Sequence, residues 1–154
     1  MSGRLTHRGP ASADWSPAPN LRLGVRGSPG AVSAQREGLL AFDGAIDNRD
    51  ALARRLGHRG ERGDPTGDGP LAAELWTTLG EDGLALIAGQ FALALWDAAG
   101  RRLVLARDRV GYAPLYFALA GERFLFASEY KALLALDVVP ARPNRAALQT
   151  IQNT

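Results

Sequence analysis

Phe91 to Leu134, FALALWDAAGRRLVLARDRVGYAPLYFALAGERFLFASEYKALL, is the stretch on which the reading of the whole chain turns. Its first piece, Phe91 to Trp96, is apolar throughout and alternates large with small side chains, the pattern of a strand covered on both faces. Asp97 to Gly100 is a polar turn and Leu103 to Ala106 a second short apolar run, so the two pair as a hairpin. Pro114 to Leu119 and Phe124 to Ala127 make another, joined through Ala120, Gly121 and Glu122. Ser128 is placed to cap a short helix, Ser128 to Leu136, by accepting from the free N–H groups of its first turn. Strands in a meander followed by a helix form a core on which the earlier chain must pack.

Working outward, Met1 to Asn20 is polar and rich in Pro, Ser and Ala, and reads as a loop or flexible arm. Leu21 to Arg26 alternates like a half-buried strand, Gly27 to Gly38 is a turn-rich connection, and Leu39 to Phe42 is a short strand. Asp47 or Asn48 caps a helix from Arg49 to Leu56 that Gly57 stops. His58 to Gly69 is loop. Asp68 is placed to cap the next helix, with Pro70 in the first turn, where a missing N–H costs nothing. Leu71, Leu75, Trp76 and Leu79 give that helix an apolar stripe, Gly80 to Gly83 breaks it, and Leu84 to Ala88 adds a helical turn. Beyond the core, Asp137 to Pro143 is a connector, and Asn144 to Thr154 begins a helix-like segment. The organisation predicted is an arm over 1–20, one α+β domain over 21–140 and the start of a linker over 141–154.

At 154 residues the chain is long enough to bury one proper core. It has no cysteine, which excludes disulfides, thiolate metal sites and a cysteine nucleophile within this sequence. The apolar runs fall short of a membrane span and no signal-peptide pattern opens the chain, so the expected location is the cytoplasm and no membrane partner is expected. The net charge is +2, Lys131 is the only lysine, and the arginines are dispersed in pairs such as Arg54-Arg55 and Arg101-Arg102. A phosphate-binding face concentrates its charge, so no nucleic-acid partner is expected. His7 and His58 stand alone, without a second ligand at helical or hairpin spacing, and no metal site is predicted. Trp15, Trp76 and Trp96 read as packing residues, and Glu129 and Lys131 as helix-surface residues. Arg107-Asp108-Arg109, ahead of Gly111 and Pro114, reads as a strand-to-loop corner set by ion pairs.

RDRVGYAPLYF followed by FLFASEYKALL closely resembles the end of the glutaminase domain of asparagine synthetases, class II glutamine amidotransferases of the N-terminal-nucleophile hydrolase superfamily. The likeness extends back through AGQFALALWD, FDGAIDNRDALARRLG and HRGP, and so covers nearly the whole chain. It implies a four-layer αββα sandwich, here without the first strand and helix. It also implies a glutamine-like small-molecule ligand and a synthetase domain or subunit as partner. ATP and Mg are expected only in that partner, and no cofactor in this chain. An unpaired sheet edge left by the shortened start would favour a homodimer or a covering partner.

In the family, an N-terminal cysteine attacks the side-chain amide of glutamine, with its own α-amino group as base. An asparagine side chain and a glycine N–H hold the oxyanion, an arginine the α-carboxylate and an aspartate the α-amino group. By position, Arg26 matches the carboxylate-binding arginine, whose planar fork suits a carboxylate, and Asp68 in TGDG matches the ammonium-binding aspartate. The structural alternatives are a solvated strand-end arginine and a plain helix cap. The family's Asn-Gly-Glu-Ile-Tyr-Asn stands here as Asp43-Gly44-Ala45-Ile46-Asp47-Asn48: Gly44 is kept, but Asp43 replaces the oxyanion-hole asparagine. An ionised carboxylate has no hydrogen to donate and repels the developing charge. Met1-Ser2-Gly3 replaces Met-Cys-Gly, and the segment that separates that start from HRGP is missing, so Ser2 is not placed as a nucleophile.

The resulting expectation is a glutaminase-like domain without glutamine hydrolysis, with no catalytic residue assigned, serving an ATP-dependent amide-forming synthetase domain as a structural or regulatory module. The alternatives are an active glutamine-hydrolysing amidotransferase for asparagine synthesis, using Ser2 or an upstream cysteine, and a non-hydrolysing glutamine sensor.

Overall fold

The computed structural model describes residues 12–26, 32–35, 38–59 and 67–142. Strand β5 (Gly89–Asp97) is its centre. It pairs antiparallel with β4 (Gly38–Ile46) on one side and β6 (Arg102–Arg107) on the other, and β3 (Val32–Gln35) completes the order β3-β4-β5-β6. The alternation in the sequence of β5 has a direct physical meaning. Phe91, Leu93 and Leu95 point to one face, where they join Leu40, Phe42 and Ile46 of β4. On that face they meet Leu52 of α1 (Arg49–Arg55), Leu71 and Leu75 of α2 (Asp68–Leu79) and Leu84 of α3 (Glu81–Ala85). The smaller Ala94 points the other way with Leu39, Trp96 and Leu105.

That second face is covered by two hairpins. Strands β1 (Ser12–Ala18) and β2 (Leu21–Arg26) supply Trp15 and Leu23; β7 (Tyr116–Ala120) and β8 (Arg123–Ala127) supply Phe126. On the far side of β7–β8, Ala118, Leu125 and Ala127 pack on Ala132 and Leu133 of α4 (Tyr130–Leu134). Helices, sheet, hairpins and helix thus stack in the predicted αββα order. Phe117, Leu119 and Phe124 share the inner face of their hairpin with Phe126 but remain 66%, 74% and 45% exposed. The rings of Phe117 and Phe124 stack at 5.8 Å.

Several local expectations are corrected. Ser12–Ala18, read as part of an irregular arm, is a strand: Trp15 lies opposite Leu23, and Pro17 falls in the interval where the register shifts, which a residue without an N–H tolerates. A strand, β3, also interrupts the turn-rich Gly27–Gly38 stretch. Strand β4 runs on to Ile46 because β5 pairs with it residue by residue as far as Gly89. Gly80 alone makes the break after α2, with φ 64°, and α3 starts at the next residue. Ser128 does not cap α4; Glu129 stands at the cap position and the helix begins at Tyr130. Asn144–Thr154, Ser2 and His7 lie outside the described residues.

The corner after β6 is built on backbone amides rather than on ion pairs. Asp108 is buried, and its carboxylate accepts from the N–H groups of Val110 (3.1 Å), Tyr112 (3.0 Å) and Ala113 (3.0 Å). The Tyr112 and Ala113 amides chiefly hold its carboxyl below the usual carboxylate range, against the opposing effect of burial. Because the folded-state value is depressed, the stabilisation is complete above the unfolded value of about 3.9 and fades as the pH falls through the folded one. Urea unfolding between neutral and acidic pH checks this. Asp108→Asn is expected to lower the midpoint at neutral pH and to flatten the loss of stability below about pH 4.

Gly44 of β4 has no room for a side chain against β5. Its φ is 128°, and a Cβ there would run into the Gln90 carbonyl and the Phe91 Cα. Gly57 has φ 90° but open space around it. Gly44→Ala is therefore expected to destabilise the domain beyond the about 1–3 kcal/mol of backbone strain, and Gly57→Ala by the strain alone. Equal losses for the two in urea unfolding would contradict the collision.

Candidate functional site

Three of the four residues marked by the sequence lie on or bond to the second half of β4. Asp43 is exposed and, by alternation with Leu39, lies on the face toward the hairpins. Gly44 follows, and Ile46 ends the strand. Asp68 comes in from α2, of which it is the first residue; Gly67 holds the cap position, so the expected Asp68 cap is corrected. Its carboxylate turns across to the strand: Oδ2 accepts from the Ile46 N–H at 3.0 Å, and Oδ1 accepts from Arg49 Nη1 at 2.8 Å. The side chains of Arg49 and Asp68 are 33% and 25% exposed. Charge at the first turn of a twelve-residue helix is favoured by the free N–H groups there. Arg26 is placed by its backbone as the last residue of β2, opposite Ser12.

The turn between β4 and α1 is held by a residue that the sequence marked only as a helix cap. Asn48 stands at the cap position of α1 but makes no side-chain cap bond. Its Nδ2 donates to the Leu86 carbonyl at 2.9 Å and its Oδ1 accepts from the Ala88 N–H at 3.0 Å. The Asp47 N–H donates to the Ala88 carbonyl at 2.8 Å. These bonds fasten the turn to the connection entering β5 and so fix where Arg49 begins. Arg49 itself was invisible to pattern reading: an arginine at a helix start has no spacing relation to an aspartate nineteen positions later. The one available signal was its place beside a cap residue in a chain segment carrying the site motif.

The remaining candidates have local partners. His58 Nε2 lies 2.8 Å from Glu74 Oε1 on α2, and Lys131 Nζ lies 2.9 Å from Glu129 Oε2. Among the described residues there is no group of three or more His, Cys, Asp or Glu side chains suited to a metal ion. No helix among them is long and apolar enough to cross a membrane. A cleft of about 280 Å³ opens at the other end of β4, lined by Gly38, Trp76, Thr77, Trp96, Asp97 and Arg102. Arg102 lies over the Trp76 ring at 4.9 Å and is tied to Asp97 (3.1 Å) and Glu81 (2.9 Å). That cleft is apart from Gly44 and Asp68.

Known proteins resemble this chain in sequence and in fold. Residues 1–154 match the family described as glutamine amidotransferase domain. Asparagine synthetase [glutamine-hydrolyzing] 3 of Bacillus subtilis (strain 168) is 34% identical over 112 residues, 73% of this chain and 18% of that protein. Asparagine synthetase [glutamine-hydrolyzing] of Asparagus officinalis is 32% identical over 148 residues, 86% of this chain and 24% of that one. The chain thus spans less than a quarter of the length of these relatives. The solved glutamine phosphoribosylpyrophosphate amidotransferase from B. subtilis, complexed with ADP and GMP, aligns over 73% of this chain and 28% of its own. Its TM-score is 0.56 at 23% identity, a likeness of fold. With the layers described above, these matches establish that the chain belongs to the glutamine amidotransferase domain family and is similar to part of the asparagine synthetases.

Proposed function

We propose that this domain does not hydrolyse glutamine on its own and acts as a structural or regulatory module for an ATP-dependent, amide-forming synthetase domain on the same or another chain. The observation that carries the reading is the carboxylate of Asp43 beside Gly44 at the end of β4. Hydrolysis of an amide passes through an oxyanion, which must be met by hydrogen-bond donors. Loss of a single such donor slows amide chemistry by about 10²–10³, and an anion in its place adds repulsion. In the proposed site Arg26 would pair with the α-carboxylate of a glutamine-like ligand and Asp68 with its α-amino group, while Asp43 and Gly44 border the amide end. ATP and Mg²⁺ would act in the synthetase domain. The exposed Phe117, Leu119 and Phe124 support a partner that covers them, since contiguous exposed apolar surface marks an interaction site.

Purified chain incubated with L-glutamine is expected to release no glutamate above the buffer blank, and Ser2→Ala is expected to change nothing. Turnover that disappears in Ser2→Ala would overturn the proposal and make the domain an active amidotransferase.

A further inference from the structure

We infer that Arg49 is a specificity-determining residue that occupies, from within the chain, the position of the ligand's amino group at Asp68. The inference rests on the proposed role of Asp68 and qualifies it: Asp68 is the amine-binding carboxylate of the site, but in the folded chain Arg49 already fills that place. Both oxygens of the Asp68 carboxylate are engaged, Oδ1 by the Arg49 guanidinium and Oδ2 by the Ile46 amide. An α-ammonium group would offer Asp68 the same kind of charge-assisted bond that Arg49 already supplies. It would also enter as a like charge beside the guanidinium. Arg49 is tethered one residue after Asn48, whose own bonds to Leu86 and Ala88 fix the turn, so it competes at a high effective concentration. The pair is only partly open to solvent, which weakens screening relative to a fully exposed ion pair. A ligand bearing a carboxylate and a terminal amide but no amine avoids the conflict. The site as folded therefore selects an amine-free carboxylate amide over an α-amino acid.

Isothermal titration of the full chain with L-glutamine and with glutaramate, the same skeleton without the amine, tests this. The unmodified chain is expected to bind glutaramate about tenfold or more tighter than L-glutamine, a difference of about 1.4 kcal/mol. Arg49→Ala is expected to reverse the order, and adding Asp68→Asn to cancel the gain for glutamine. Arg49→Gln, which keeps length and polarity without charge, should behave as Arg49→Ala; circular dichroism confirms that each variant is folded. Equal glutamine affinity in the unmodified chain and in folded Arg49→Ala or Arg49→Gln would overturn the inference while leaving the role of Asp68 intact. Absence of binding of either ligand to any folded variant would overturn that role and the inference with it.

Discussion

The pairing of β4 with β5 is the constraint from which the rest follows. Nine residue pairs run unbroken from Gly38 opposite Asp97 to Ile46 opposite Gly89. Because side chains alternate across a strand, this one ladder assigns every residue of both strands to the helix side or to the hairpin side. Leu40, Leu71, Leu75 and Leu93, the largest fully buried side chains among the described residues, all lie on the helix side. Burial of each contributes about 1.5–3 kcal/mol, so a slip of one strand by one residue would turn either Leu40 or Leu93 away from that core. The register therefore cannot drift, and neither can the strand end that it carries.

The candidate site inherits that precision. Gly44 sits where β4 approaches β5 too closely for a Cβ, so a requirement of the fold by itself accounts for glycine there. Its presence says little about catalysis. Asp43, next to it, stands exposed on the strand opposite Ala92. The turn beyond is equally firm: Asn48 spans to Leu86 and Ala88, and the start of α1 follows from it. Arg49 and Asp68 are thus delivered to one another by two helix starts held on the same strand end.

Elsewhere the domain relies on carboxylates turned to backbone amides. Asp108 closes the corner from β6 toward β7 by accepting three N–H groups, and Asp97 closes the β5–β6 turn through Gly100 and Arg102. The Gly100 amide, with further help from Arg102, holds the Asp97 carboxyl below its ordinary range. In both cases a carboxylate fixes the path of the loop through its hydrogen bonds.

The sequence by itself determined which faces of the central elements must be covered. Large–small alternation in Phe91–Trp96, the stripe along α2 and the two hairpins downstream state which faces must be covered, and burial obeys them. The motifs around Asp43, Gly44 and Asp68 likewise named residues that the fold brings to one strand end. What pattern could not express was long-range polar pairing. That Ser12–Ala18 is a strand depends on Trp15 meeting Leu23 and the sheet beneath them, and that Asp108 needs amides rather than arginines depends on the path of the loop around it. The same holds for the bond from Arg49 to Asp68. Hydrophobic periodicity is local and repeats along the chain, so it can be read from sequence. A hydrogen bond between residues far apart in the chain exists only once packing has set the distance between them, and that only the tertiary structure decided.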